Sequence, residues 1–392
     1  MQRLLLVKLL VIIFSLSISY ATSAQDISPA TKISLLTCGS GDELYSIFGH
    51  SSIRVCDTTQ NLDIVFNYGT FNFSDPNFYL NFVRGKLNYM LSVQQFSGFM
   101  LGYKEDERWV YEQILNLNHE QQQVLFGYLL QNHRPENKYY LYDFLFDNCS
   151  TRIRDVLNSA FPNQLVFSDK YDNIIGNPSF RNLLHSYLNS IPWTMLGIDI
   201  LLGKRVDREA AANEYMFLPD YLLEAFGNAT LNQQPLVVES GYLYQTDQAA
   251  VGKKQLITPT IAFIILVVLT VVAYVMKVPF KWIDFTIFFI VGLLGMLLLV
   301  MWFGTDHHVT KYNFNLLWAL PSHCVVIFFL LKKNPSRWVL WYFAINMLLC
   351  VLLLLFRGTI PQELNNALVL VICLLGFRSY AIAKALFIRA IR

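Results

Sequence analysis

Residues 142–152 read YDFLFDNCSTR, and this stretch decides the fold of the N-terminal part of the chain. Asp147 and Asn148 are residue types that favour the position just before a helix, so we predict a helix that begins there and runs through Leu157. Cys149 then lies in the first helical turn, where the positive end of the helix dipole stabilises a thiolate. A thiol in that position can ionise well below its ordinary pKa of about 8.5 and act as a nucleophile.

A nucleophilic Cys needs a base, which is usually a His. His50 is the strongest candidate because it follows Phe48-Gly49 at the entry to a short strand, where an imidazole can be held toward a helix start. Cys38 is a competing nucleophile because it precedes a Gly-rich link before His50. A structural role is the commoner one for a Cys after Asn or for a His at a strand edge. The residues alone therefore leave both assignments open.

The surrounding pattern indicates an α+β domain, with a small sheet and helices packed to one side. A strand near Leu87–Val93 is expected to pair with the run Trp109–Leu117. The apolar spacing after His119 predicts a helix over His119–Asn132. The other short β runs are Lys32–Thr37, Ser52–Val55 and Ile64–Phe66.

The composition of the 392-residue chain indicates a membrane protein. Charged residues make up 15% and hydrophobic residues 54%, whereas a soluble protein has about 25% charged residues. The net charge is only +2 and no basic block is present, which argues against nucleic acid as a partner. We expect a signal peptide over residues 1–24, an exported domain over 25–250 and a helical membrane domain over 251–392.

The membrane domain is expected to contain about five transmembrane helices. Pro321 and His323 interrupt the third of them. Lys and Arg are concentrated in the links that face inward if the first domain is exported, which places the C-terminus in the cytosol and the protein in the inner membrane. The five candidate segments are Ile257–Met276, Asp284–Phe303, Phe314–Leu331, Trp338–Phe356 and Leu364–Ala383.

The six Cys residues include no CxxC pair, so they do not predict a zinc site. Cys38 and Cys56 flank strands that are expected to be adjacent, so a disulfide between them is an open alternative. His307 and His308 with Asp306 fall short of a convincing metal set. We predict no metal and no cofactor.

Several motifs in order give the chain a resemblance to known families. His50 before an Asn-Cys helix start resembles the circularly permuted papain-like fold of the lecithin:retinol acyltransferase and NlpC/P60-like group. More closely, the whole chain resembles the Lnb-type lipoprotein N-acyltransferases of the Bacteroides lineage. The motifs that carry this resemblance are Ser46–His50, Asn67–Phe71, Tyr142–Arg154, Pro192-Trp193, Gly197–Asp199, Phe217–Pro219, Thr305–His307 and Asn315–Pro321.

The resemblance implies that Cys149 is the nucleophile and His50 the general base and later acid. A third polar group should orient His50, and Asn67 and Tyr68 are the candidates, while the Cys149 backbone N–H and a nearby polar group such as Asn148 would form an oxyanion hole.

The resemblance also implies a reaction. A phospholipid would donate an acyl chain through a Cys thioester to the α-amine of a diacylated lipoprotein. Asp306 and His307 are candidates for substrate contact from the outward loop. The aromatic stretch Phe71–Phe82, with Tyr89, Phe96 and Phe99, is best interpreted as core packing, with an acyl groove as the alternative.

Two other function classes fit the same residues. One is a membrane-anchored cysteine peptidase or amidase that acts on cell-wall peptides. The other is a non-enzymatic envelope assembly factor with a degenerate papain-like domain, for which Cys149 would be dispensable.

Overall fold

The computed structural model describes residues 26–71, 76–86, 88–168, 177–246, 255–279 and 281–391. The predicted signal peptide lies outside the described residues, as does the boundary near residue 250 between the two predicted domains.

The N-terminal domain is built on an antiparallel sheet of seven strands, and a second sheet joins three very short strands. In chain order the strands are β1 (Lys32–Cys38), β2 (His50–Asp57), β3 (Leu62–Thr70), β4 (Asn88–Gln95), β5 (Val110–Leu115), β6 (Tyr139–Leu141), β7 (Leu165–Val166), β8 (Thr230–Leu231), β9 (Gln234–Pro235) and β10 (Val237–Tyr244). The large sheet has the order β10-β5-β1-β2-β3-β4-β6, and the small sheet has the order β7-β8-β9.

Side-chain alternation along the strands gives the large sheet two different faces. Ile53 and Val55 of β2 belong to the main apolar core, together with Phe66 of β3. Arg54 points to the opposite face, where its guanidinium lies 3.5 Å from the centre of the Phe96 ring.

Seven helices are described in the N-terminal domain. They are α1 (Phe78–Arg84), α2 (Phe96–Glu105), α3 (His119–His133), α4 (Cys149–Ala160), α5 (Phe180–Leu188), α6 (Pro192–Leu201) and α7 (Pro219–Asn228). Helices α3 and α4 cover the main core, and α2 covers the opposite face through Phe99 and Met100. The α+β class is confirmed, but helices lie on both faces of the sheet rather than on one.

One expectation about strand pairing is wrong. β5 pairs with β1 and β10 rather than with β4, because α2 lies across the sheet between β4 and β5 and carries the chain to the other side.

The disulfide between Cys38 and Cys56 that the sequence left open does not form, because both are free thiols. Cys38 pairs with His50 and Cys56 pairs with Lys32, so six residues, about 20 Å of strand, separate them. A disulfide cannot span that distance.

The C-terminal domain is helical. Its helices are α8 (Pro259–Val275), α9 (Lys281–Phe303), α10 (His323–Leu330), α11 (Arg337–Leu355) and α12 (Leu368–Ile391). Among the described residues, α9, α11 and α12 are long and apolar enough to cross a membrane, and α8 is apolar but shorter.

The third expected span is not one continuous helix. A short 3-10 turn, Phe314–Leu317, precedes α10, which has only eight residues. The broken segment nevertheless runs along α9, because Gly295 lies against Ala319 and Gly292 lies against Cys324. The count of five spans stays a prediction.

A buried ion pair joins two membrane helices. Arg378 of α12 donates two hydrogen bonds of 2.7 Å to the carboxylate of Asp284 in α9. Arg378 lies within the fifth expected span, Leu364–Ala383, and α12 continues beyond that span to Ile391 and buries this side chain. Pairing neutralises a charge that is costly to place in a membrane.

The N-terminal domain is fixed to the membrane domain through a polar cluster around Asp199 of α6. The Asp199 carboxylate is buried and hydrogen bonds with Arg181 at 2.7 Å, His185 at 2.8 Å and Asn365 at 2.8 Å. Arg181 also pairs with Asp207. Asn365 lies just before α12, so this one carboxylate connects two helices of the first domain to the start of a membrane helix.

Polar side chains of the membrane domain complete this junction by binding the carbonyls that end α6. Asn313 donates to the carbonyl of Ile200 at 2.8 Å, and Gln362 donates to that of Leu202 at 3.0 Å. Leu196 of α6 packs into the apolar core formed by the membrane helices. The first domain therefore has a fixed height and orientation above the membrane domain.

We expect Asp199→Ala to destabilise the protein by about 1–3 kcal/mol, because it leaves buried donors of Arg181 and Asn365 without an acceptor, while Arg181 keeps its pair with Asp207. Thermal unfolding of the detergent-purified protein, followed by tryptophan fluorescence, measures the loss. Asp155→Ala is the control, since its ion pair with Arg154 is half-exposed and such pairs contribute little. Equal losses in the two variants would contradict the assigned role of the Asp199 cluster.

Candidate active site

The start of α4 is fixed by the side chain of Asn148. Its Oδ1 accepts hydrogen bonds from the backbone amides of Ser150 and Thr151 at 2.9 and 3.0 Å, and Thr151 Oγ1 accepts from the Asn148 amide. Its Nδ2 donates to the carbonyls of Phe144 and Phe217. The side-chain amide of Asn148 is thus used in capping. It positions Cys149, the first helical residue, rather than facing His50 or an oxyanion.

His50 is the first residue of β2, and it is oriented by Asn67. His50 Nε2 lies 3.4 Å from Asn67 Oδ1, and that oxygen also accepts a 2.9 Å hydrogen bond from Ser52. Tyr68, the other candidate, lies on the opposite face of β3, where its hydroxyl accepts from Asn132 at 2.9 Å. The structure therefore brings Asn67, and not Tyr68, to His50.

Cys149 reaches His50 because β2 and β3 stop pairing beyond Ile53 and Phe66. The start of α4 lies beside the separated ends of these strands. On the β3 side, Gly69 has φ +85°, and a side chain there would lie 3.7 Å from the Cys149 Cβ. The backbone at Gly69 therefore approaches the thiol closely in a conformation that other residues rarely adopt.

The surroundings of Cys149 favour its thiolate. Burial disfavours the charged form, but the positive charge of His50, a hydrogen bond with His50 and one from the Ser51 amide outweigh it. The pKa of Cys149 consequently lies below its ordinary value. Because His50 Nε2 is directed at Asn67, its Nδ1 remains for the thiol. The three side chains form a Cys-His-Asn arrangement of the kind found in papain-like enzymes.

Cys38 does not compete as the nucleophile. It is fully buried in the second core of the domain, and burial raises the pKa of its thiol to about 12. Such a thiol stays protonated at neutral pH and is inert.

Tyr140, which sequence reasoning missed, borders the space beside the thiol. A Cβ atom on Gly69 would lie 4.0 Å from the Cys149 backbone nitrogen and 4.0 Å from the Tyr140 hydroxyl oxygen. Tyr140 Oη is buried, and no acceptor for its proton is found among the described residues. Burial raises the pKa of Tyr140, so it stays a donor. The site thus offers two donors to an oxyanion formed at Cys149.

The Tyr140 ring is held by Arg152. The Arg152 guanidinium lies 3.9 Å from the ring centre and pairs with Asp147. No sequence signal marks Tyr140, because it lies in a three-residue edge strand that is joined to the site only by the sheet.

An aromatic wall adjoins the site. We use this name for Tyr45, Phe71, Tyr89 and Tyr142. The rings of Tyr89 and Tyr142 stack at 4.2 Å, and Phe71 contacts Tyr89 at 5.4 Å and Tyr45 at 6.4 Å. Tyr89, Tyr142 and Cys149 pack against the same apolar core. Two other aromatics considered for an acyl groove lie elsewhere, since Phe99 is core and Phe96 covers Arg54.

Asp306 and His307 lie against the turn between α1 and β4. The Asp306 amide donates to the Arg84 carbonyl at 2.9 Å, and Lys86 Nζ lies 3.6 Å from the Asp306 carboxylate. The pair therefore contacts residues 84–86 of the N-terminal domain. In the described ranges, no group of three or more His, Cys, Asp or Glu side chains is placed to hold a metal ion.

Comparison with known families identifies the family of this chain. A family model described as the Lnb N-terminal periplasmic domain matches residues 20–184, and one described as the Lnb transmembrane domain matches residues 252–387. The chain belongs to the Lnb family. It is therefore a membrane protein with a periplasmic domain, and the Lnb periplasmic match contains His50, Asn67, Tyr140 and Cys149. No curated protein and no solved structure matches the chain.

We expect His50→Gln to raise the pKa of Cys149 by about 1–3 pH units, because it removes the positive charge and leaves the burial that opposes ionisation. The rate of iodoacetamide alkylation as a function of pH, read from the Cys149 peptide by mass spectrometry, measures this pKa. Cys56 is an internal reference, since burial raises the pKa of its thiol and it lies at the other end of β2. An unchanged Cys149 midpoint would exclude the thiolate–imidazolium pair.

Proposed function

We propose that this Lnb family member is a lipoprotein N-acyltransferase of the inner membrane. The observation that carries the proposal is the Cys149–His50–Asn67 arrangement in a periplasmic domain that is fixed to membrane helices. A phospholipid is the acyl donor, and the free α-amine of a diacylglyceryl-modified lipoprotein Cys is the acceptor. Both substrates are held in the same leaflet, so a thiol fixed near that surface can meet each in turn.

In the first step, the Cys149 thiolate attacks the carbonyl carbon of a phospholipid acyl ester. The developing oxyanion accepts hydrogen bonds from the Cys149 amide and the Tyr140 hydroxyl. The C–O bond of the ester breaks, and His50 gives its proton to the departing lysophospholipid hydroxyl. The products are a thioester on Cys149, a neutral His50 and a lysophospholipid.

In the second step, the neutral α-amine of the acceptor attacks the thioester carbonyl. His50 takes a proton from the attacking nitrogen, the C–S bond breaks and an amide is released. This restores the thiolate and the protonated His50, so the two steps balance without a cofactor. A reaction of this form gives ping-pong kinetics.

We expect the purified protein to gain the mass of one fatty acyl group when it is incubated briefly with a defined phospholipid. Intact mass spectrometry detects the adduct, and hydroxylamine should remove it because it is a thioester. Cys149→Ala is the control and should gain nothing. If no adduct and no lysophospholipid form, the reaction with phospholipid is excluded and the peptidase or amidase becomes the better hypothesis. If Cys149→Ala keeps its function in cells, a non-enzymatic role is favoured.

We expect Tyr140→Phe to lower kcat by about 10²–10³, because it removes one donor to the oxyanion. Within the described residues the hydroxyl donates to no acceptor, so its removal should leave the fold intact. Tyr139→Phe is the matched control, since Tyr139 is the preceding residue and is exposed. Lysophospholipid release over a range of phospholipid concentrations separates kcat from KM. Equal kcat for the two variants would remove Tyr140 from the mechanism.

A further inference from the structure

Helix α1 presents apolar side chains to the outside of the molecule. Leu80 is 56% exposed and Val83 is 50% exposed. Arg84 ends the helix, and Lys86 follows it. Apolar side chains next to basic ones are typical of a helix that lies at a lipid surface, where the apolar groups enter the acyl region and the cations meet the phosphates.

The end of α1 is attached to the membrane domain. Gly85 has φ +68°, and a side chain there would lie 2.8 Å from the His307 amide. The Asp306 amide donates to the Arg84 carbonyl, and Lys86 pairs with the Asp306 carboxylate. These contacts hold the turn after α1 against the loop that follows α9.

That loop marks the level of the membrane surface. It begins where α9 ends, at Phe303, whose ring stacks on that of Trp302. Tyr312 lies further along the loop and also contacts Trp302. Trp and Tyr are enriched at the boundary between acyl chains and headgroups. Because α1 is attached to this loop, its exposed side chains lie at the same boundary.

The chain connects α1 directly to the candidate active site. The segment that contains α1 begins after β3, which carries Asn67 and Gly69, and ends at β4, which carries Tyr89. Phe71 and Tyr89 belong to the aromatic wall that adjoins Cys149. The chain that carries α1 therefore leaves the aromatic wall at Phe71 and returns to it at Tyr89.

We propose that α1 docks on the outer leaflet of the membrane through Leu80 and Val83, and that an acyl chain passes from this contact along the aromatic wall to Cys149. The occupant is lipid because α1 is attached to the loop at the end of a membrane helix and carries Arg84 beside its exposed apolar side chains. The docking stands on geometry alone, whereas the passage of an acyl chain rests on the proposed function.

The first experiment tests docking without any catalytic readout. The full-length variant Leu80→p-benzoylphenylalanine is placed in nanodiscs of phosphatidylethanolamine and phosphatidylglycerol, irradiated, and analysed by mass spectrometry. We expect a phospholipid crosslink at position 80. Leu101→p-benzoylphenylalanine is the matched control, because Leu101 is 57% exposed on α2, which packs against the sheet. No lipid crosslink, a crosslink only to protein, or equal lipid crosslinking at both positions would overturn the docking.

The second experiment tests delivery of the acyl chain. Leu80→Asp/Val83→Asp is compared with Leu101→Asp for acylation of Cys149 by phospholipid vesicles and by a water-soluble short-chain ester. We expect a loss of at least about tenfold with vesicles in the double variant, since two apolar side chains no longer enter the leaflet. Acylation by the soluble ester should not change.

The outcomes separate this inference from the proposed function. Equal vesicle rates in the two variants, with a normal thioester in the unmodified protein, would reject delivery through α1 but keep the acyltransferase. A lipid crosslink at position 80 without any thioester in the unmodified protein would keep the docking and reject the acyltransferase. A loss of the soluble-ester reaction in the double variant would mean that α1 supports the site itself, which would overturn delivery as the reason for the defect.

Discussion

The candidate site depends on the hydrogen bonds that Asn148 makes at the start of α4. Its side chain accepts from two helix amides and donates to the carbonyls of Phe144 and Phe217, so it fixes the helix start to two other segments. The Cys149 backbone amide is then available to an oxyanion rather than used in capping. A cap that accepted only from the helix would fix the direction of α4 but not its position relative to His50.

A second constraint acts at the membrane junction. Asp199 accepts from side chains on both sides of that junction, and Leu196 packs among the membrane helices. A flexible tether would leave the thiol to find lipid by diffusion, whereas this junction sets its height above the leaflet. The proposed function has two substrates that are both confined to a membrane, and for such a pair a fixed height would increase the effective concentration of each at the site.

Local chemistry made part of the site predictable from sequence. Asn148 and Cys149 could be placed because capping depends on a few adjacent residues, and His50 because a strand start is marked by its neighbours. The choice of Asn67 over Tyr68 could not be made without knowing on which face of β3 each side chain lies. Placing Tyr140 at the site required the strand order of the whole sheet. The pairing of β5 depended on a helix that crosses the sheet. Pro321 and His323 did mark the interruption of the third membrane segment, because Pro lacks the amide that a continuous helix requires.

The half-buried position of Cys149 bears on how a thioester could favour transfer over hydrolysis. The Cys149 side chain packs against the apolar core next to Tyr89 and Tyr142, and Gly69 brings backbone close to its other side. These groups limit the directions from which a nucleophile can approach, and they exclude bulk water from part of the thioester. In the proposed reaction, an acceptor whose own acyl chains are anchored in the leaflet would arrive from the membrane side, where α1 is attached to the loop after α9. In the proposed reaction, the geometry that admits the donor would therefore favour an amine that is held by lipid over water that comes from the periplasm.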